Sequence, residues 1–210
     1  SVLRSTGAVQ VKAYSTSTIE SIGVAAGVSG TAAISGSNST NLLEDEITAS
    51  WLGSDLIFSN TPTNTLTVSA LQAARIDSLA GNVSGSLGAA VGAAVAVNRI
   101  GTQTNALLLG ATQSNYSNGI GHWSAVANNL LLSAESDNQI NTIAVGMSAG
   151  ASGVQGSVAV SVIGSQTHAA LGADGYVSSV LAADSVAVTA NSRDRIRALA
   201  GAVGLGAAGV

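Results

Sequence analysis

Large aromatic side chains, charges, proline and cysteine are all scarce in this chain of 210 residues. Only 3% of the residues are aromatic and 9% are charged, although 46% are hydrophobic. The single proline is Pro62, and the absence of cysteine excludes disulfides and thiol-ligated metals. An ordinary globule of this size fills its centre with large rings. The apolar share here is mostly Ala, Val, Leu and Ile, so we expect a thin core.

A five-residue frame of alternating residues recurs four times. It starts at residues 9, 66, 130 and 186, so successive copies lie 57, 64 and 56 residues apart. In each copy an aliphatic residue follows the frame by six positions and a second one follows three later. These pairs are Ile19 and Ile22, Ile76 and Leu79, Ile140 and Ile143, and Ile196 and Leu199. Such self-similarity predicts a protein built by stacking one unit on itself.

A second matched region follows the first in each unit. Residues 95–106 align with residues 158–169 at an offset of 63, and one position is lost near residues 87–93. Variable arms separate the matched regions, at residues 54–65, 111–129 and 174–185, and the middle arm has seven extra residues. Insertions at one place in each unit are typical of a solenoid, because a loop on one face leaves the stacking elsewhere undisturbed.

We therefore predict an all-β parallel β-solenoid, in which residues 1–210 form a single repetitive segment whose last repeat is truncated. If each repeat comprises three coils of about 19 to 21 residues, the chain makes about ten coils and a rod of roughly 50 Å. The alternative is a helix, since residues 76, 79, 83 and 87 follow helical spacing. Gly, Ser, Thr and Val are poor helix formers, and the alternating frames favour strands.

The net charge argues against a nucleic-acid partner, and the length of the apolar run at residues 87–97 argues against a membrane span. The formal net charge is −4 and the seven Lys and Arg are scattered, so we expect no nucleic acid. The apolar run at residues 87–97 is too short for a membrane span of about 20 residues, so we expect a chain that does not span a membrane. No capping unit is visible at either end, which indicates a piece of a longer protein or ends occupied by other copies.

The repeat resembles the repeat regions of large bacterial filamentous-haemagglutinin-like and leukotoxin-type adhesins. The resemblance rests on residues 66–70, 76–81, 92–98 and 104–106, and it covers nearly the whole chain. It implies a right-handed parallel β-helix, secretion across an outer membrane to the cell surface, and a fibrous stalk for adhesion or biofilm. It provides no functional residue that can be transferred to this chain.

The inserted arm at residues 111–129 is the best place to look for a partner. It contains Tyr116, His122 and Trp123 in a chain that has few other rings. Exposed aromatics stack on sugars or anchor protein contacts. The alternative is that Tyr116 and Trp123 fold back over an apolar flank of the solenoid.

Other polar residues favour structural interpretations. Glu44, Asp45 and Glu46 offer oxygen ligands for Ca²⁺, but a solvated turn explains them better. His122 and His168 are isolated, and His168 aligns with Asn105, so we expect it to face outward from a strand. We predict no catalytic residues, no metal and no cofactor.

Two further patterns predict which side chains link neighbouring coils and which point to solvent. Asn98 aligns with Ser161 and Asn41, which indicates a polar ladder that links neighbouring coils. Arg193, Arg195 and Arg197 alternate with Asp194 and Ile196, which fits a solvated strand face or a contact with an acidic surface.

These observations favour a structural segment of a secreted bacterial surface fibre or adhesin. We expect copies of the chain to assemble with one another, end to end or laterally. A module that binds host or matrix glycans or proteins through the inserted arm is the alternative. A polysaccharide-degrading β-helix is a remote one, because such sites need convergent carboxylates and the acidic residues here are sparse.

Overall fold

A computed structural model of the chain describes residues 2–5, 7–52, 55–58, 65–109, 111–112, 125–172, 176–177 and 180–209. All of the regular structure in these residues is β. The strands are β1 (Val2–Ser5), β2 (Val9–Ser29), β3 (Ala32–Leu52), β4 (Asp55–Phe58), β5 (Thr65–Ser86), β6 (Ala89–Leu109), β7 (Ala111–Thr112), β8 (Ala125–Ala149), β9 (Ser152–Leu171), β10 (Tyr176–Val177), β11 (Val180–Leu205) and β12 (Ala208–Gly209).

The long strands form two parallel sheets that pack face to face. In sheet A the order is β2, β5, β8 and β11, with the short strands β1 and β4 reaching the start of β8. In sheet B the order is β3, β6, β9 and β12. The short strands β7 and β10 form a separate antiparallel pair. The predicted all-β fold with stacked parallel strands is confirmed, and the arrangement is that of a parallel β-solenoid.

The pairing register coincides with the sequence repeat. Val9 pairs with Leu66, Leu66 with Leu130, and Leu130 with Val186. Each repeat therefore adds one strand to sheet A and one to sheet B. The prediction of three coils per repeat and about ten coils is not confirmed, because hydrogen-bonded neighbours lie a whole repeat apart.

The shape differs from the predicted rod for the same reason. A strand of 21 residues spans roughly 70 Å, whereas four stacked strands extend only about 19 Å. The described residues make a wide, thin slab, about a quarter as long in the stacking direction as along the strands.

Short turns join the two sheets at one end of the slab. β2 and β3 are separated by residues 30–31, and β8 and β9 by residues 150–151. The sheets approach closely near these turns, since a Cβ atom added to Gly23 would lie 2.9 Å from the carbonyl oxygen of Asn38. Gly85 pairs with Ala149 and Ala89 pairs with Ser152. Residues 86–88 therefore correspond to residues 150–151 alone, so the position missing from the third copy lies in its short turn.

Inward side chains form three apolar belts across the strands, with polar positions between them. The belt nearest the arms is the largest and includes Leu66, Leu108 and Leu130. The middle belt contains Ile76, Ile100 and Ile140. The belt nearest the turns is built from alanines, namely Ala80, Ala94, Ala96 and Ala144. The core therefore narrows toward the turns.

Strand alternation separates the two aliphatic residues of each repeated pair. Positions three apart on a strand point to opposite faces, so Ile140 is fully buried and Ile143 is 43% exposed. We expect Ile140→Ala to lower the free energy of unfolding by about 2–4 kcal/mol, because it leaves a cavity in the middle belt.

The matched control is Ile143→Ala, which removes the same atoms from the outer surface. Chemical denaturation of dilute protein should show a loss of about 1 kcal/mol or less for this variant. Equal losses for the two variants would contradict the assignment of inner and outer faces.

Candidate functional site

The predicted contact residues Tyr116, His122 and Trp123 lie outside the described residues. In the sequence they lie between β7 and β8. Binding of glycans or proteins by this arm therefore stays a prediction.

The acidic cluster lies within strand β3, so its interpretation as a solvated turn is wrong. The strand alternation points Glu44 and Glu46 outward and Asp45 inward. Asp45 Oδ2 accepts hydrogen bonds from Ser15 Oγ at 2.5 Å and from Ser17 Oγ at 3.4 Å, both on the facing strand β2. The three carboxylates consequently do not converge on one point.

A shallow groove of about 600 Å³ crosses the outer face of sheet B. Gly101 and Gly164 pair in the ladder, and their missing side chains form its floor. Its walls include the outward residues Glu44, Glu46, Arg99, Gln103 and Gln166. The groove is open and bears charges of both signs, so it offers polar contacts rather than a dry pocket. This groove was not predicted from the sequence, although the alignment of Gly101 with Gly164 was an available signal for it.

The predicted polar ladder is present between the sheets. Asn98 is fully buried, and its Oδ1 accepts a hydrogen bond from Asn41 Nδ2 at 2.7 Å. Its Nδ2 donates to Thr142 Oγ1 at 2.7 Å, and Thr142 shares a 2.8 Å hydrogen bond with Ser161 Oγ. Neighbouring coils of both sheets are joined by these bonds. The ladder satisfies buried polar groups and is therefore part of the structure.

The arginines of β11 face outward, as predicted. Ile196 pairs with Ile140 and shares its inward orientation, so Arg195 and Arg197 lie on the outer face. Asp194 points inward and accepts hydrogen bonds from Asn138 Nδ2 at 2.9 Å and from Ser165 Oγ at 2.7 Å. His168 is exposed on β9 and pairs with Asn105, which confirms its predicted outward position.

An ion pair lies on the outer face of sheet A. Arg75 Nε donates to Asp77 Oδ2 at 2.6 Å, and Asn141 Nδ2 donates to Asp77 Oδ1 at 2.7 Å. The hydrogen bond from Arg75 holds the pKa of Asp77 below its usual value of 3.8, and that from Asn141 acts in the same direction. A lowered carboxyl pKa stabilises the fold at neutral pH, and this contribution is lost as the pH falls through that pKa. The pair is exposed to solvent, so its contribution is small.

The described ranges contain neither a metal-binding cluster nor a membrane-spanning helix. No three His, Cys, Asp or Glu side chains there are grouped so as to hold a metal ion. The same ranges contain no helix with the length and hydropathy needed to cross a bilayer.

Comparison with protein-family models, with curated proteins and with solved structures finds no match for this chain.

The contribution of the ladder to stability is measurable through Asn98. We expect Asn98→Ala to cost about 1–3 kcal/mol of unfolding free energy, because the amide of Asn41 and the hydroxyl of Thr142 each lose a buried partner. The control is Asn105→Ala, which removes an outward hydrogen bond to Thr48 and should cost no more than about 0.5 kcal/mol. Urea denaturation measures both, and a neutral Asn98→Ala would rule out a structural role for the ladder.

Proposed function

We propose that this chain is a structural repeat segment of a secreted bacterial surface fibre or adhesin, and that it lengthens by end-to-end stacking. In this proposal the coil is right-handed, because crossover connections between parallel strands almost always are. Export to the cell surface is part of the proposal and rests on the family resemblance and on the absence of cysteine.

The observation that supports stacking most strongly is the solvent exposure of the inward aliphatic side chains on β11. Val186, Val188 and Ile196 are 50%, 44% and 48% exposed, while their ladder partners on β8 are at most 1% exposed. Among the described residues, β11 has no further neighbour in sheet A. Another coil placed on this edge would bury them as the internal coils bury theirs.

The opposite edge of sheet A offers the matching side chains. Val9, Val11 and Ile19 of β2 occupy the same ladder columns as Val186, Val188 and Ile196. Extension of the ladder in its internal register therefore stacks valine on valine and isoleucine on isoleucine.

Charge favours the same register. Glu20, Asp77, Asn141 and Arg197 form one outward column. A second copy stacked in register on β11 would place its Glu20 beside Arg197, at the strand spacing of about 4.8 Å. Opposite charges directly across neighbouring strands are favourable.

A charge swap tests this register. We expect Arg197→Glu alone, or Glu20→Arg alone, to place like charges together and to weaken end-to-end association several-fold, in line with about 0.2–1 kcal/mol for an exposed pair. The double variant restores opposite charges and should recover the association of the unmodified chain. Sedimentation velocity gives the association constant, and negative-stain electron microscopy gives the length of the particles.

The control is Arg99→Glu, which reverses a charge on the central strand β6 of sheet B, away from both edges of sheet A. It should leave particle length unchanged. Particles of constant length in the unmodified chain, or a double variant no better than the single ones, would refute end-to-end stacking in this register.

A further inference from the structure

The outer face of sheet A near the turns has an unusual composition. We define the apolar face as the outward side chains of residues 22–28 of β2, 79–85 of β5, 143–149 of β8 and 199–205 of β11. Its sixteen positions form four ladder columns. They are Ile22, Val24, Ala26, Val28, Leu79, Gly81, Val83, Gly85, Ile143, Val145, Met147, Ala149, Leu199, Gly201, Val203 and Leu205. None of them is polar or charged.

The inward side of the same strands shows the reverse pattern. The inward residues between these columns are only Ala, Gly, Ser and Asn, and none is larger than Asn82. A sheet with one solvated face normally turns aliphatics inward and polar residues outward. Here the larger aliphatics point outward, and Ile22 and Val28 are 77% and 88% exposed. Because the larger aliphatic side chains are on the outer side of this part of the slab, we infer that a partner covers its outer surface.

All four repeats keep an outward aliphatic residue at the same place. Ile22, Leu79, Ile143 and Leu199 are the second members of the repeated pairs and share one column. Nothing inside the slab needs them, because the inward members already fill the middle belt. Fourfold recurrence of an exposed aliphatic residue points to a contact that every coil makes.

The size of the apolar face suits a protein contact. Seven residues along each strand and four strands across give roughly 25 Å by 19 Å, or about 500 Å². The largest exposed apolar patch on a typical protein is about 300–600 Å², and such a patch is often functional. Two copies placed face to face would cover about 1,000 Å², which reaches the lower limit for a specific interface.

We propose that the apolar face binds the same face of a second copy of this chain, so that two slabs pair laterally. This deepens the self-association in the proposed function by naming a surface distinct from the strand edges. A sheet face packs on another sheet face with the strands aligned to within about 30° and the sheets about 10 Å apart. A charge-free face needs a charge-free partner, and the second copy provides one.

The outward glycines fit this occupant. A Cβ added to Gly85 or Gly201 would meet no atom within 4 Å, and neither residue has a positive φ. The fold itself therefore does not require glycine there. Glycine in a strand often marks the close approach of another backbone. A lipid surface suits the face less well, because the open edges of β2 and β11 flank it and their backbone groups would lack partners in hydrocarbon.

Two lysine substitutions test the pairing. Val145→Lys places a charge in the middle of the face, and Gly201→Lys does so at a position with open space around it, so the fold of the single slab tolerates it. Each is expected to lower the lateral association constant at least about tenfold, because pairing would bury a lysine from each copy without a partner. The matched control is Val162→Lys on the outer face of sheet B, with an expected change below about twofold.

Sedimentation velocity and electron microscopy separate this proposal from end-to-end stacking. Lateral pairing appears as doubled particle width and is lost in the Val145→Lys and Gly201→Lys variants. The Arg197→Glu variant should change particle length and leave width unchanged. Far-ultraviolet circular dichroism of each variant confirms that its sheets are intact.

Three results would overturn lateral pairing. One is a single slab width at every protein concentration, and another is an unchanged association constant in both lysine variants. The third is flotation of the chain with phosphatidylcholine vesicles that Val145→Lys abolishes, without pairs in solution, which would assign the face to lipid.

Discussion

The parallel ladder between equivalent residues of successive repeats is the constraint on which the other features depend. A strand of 21 residues pairs along its whole length with the strand one repeat away. A one-residue slip would turn every inward side chain outward. Strand lengths and face patterns must therefore agree between repeats, and changes in length are confined to the arms and to the short turns.

This constraint also explains the interior. Because equivalent residues stack, Ile76 lies on Ile140 in sheet A and Asn41 lies on Asn98 in sheet B. Apolar and polar belts consequently run across the strands. The hydrogen bonds of Asn98 join neighbouring coils and both sheets, and they satisfy the buried amide of Asn98 itself. Alanine and glycine near the turns allow the sheets to approach closely.

Much of this organisation could be predicted from the sequence, because internal repeats record the register directly. The aligned frames, the outward arginines of β11, the exposed His168 and the ladder at Asn98 all follow from the repeat. The number of coils per repeat did not follow, since a repeat length does not say how often the chain turns back. Outward aliphatic residues such as Ile143 and Val145 obscure the alternation of apolar and polar residues that is typical of a strand. The spacing of Ile76 and Leu79 is like that of a helix, although the two side chains point to opposite faces of β5.

The one-coil repeat is tested most directly by a distance between spin labels. Thr16 and Arg193 lie in the same outward column, three ladder steps apart, and the chain has no cysteine to interfere with labelling. With both residues replaced by labelled cysteine in dilute protein, double electron–electron resonance should give a separation near three strand spacings, about 14 Å before the label length is added. A separation near nine strand spacings, about 43 Å, would instead require three coils per repeat and would contradict the ladder.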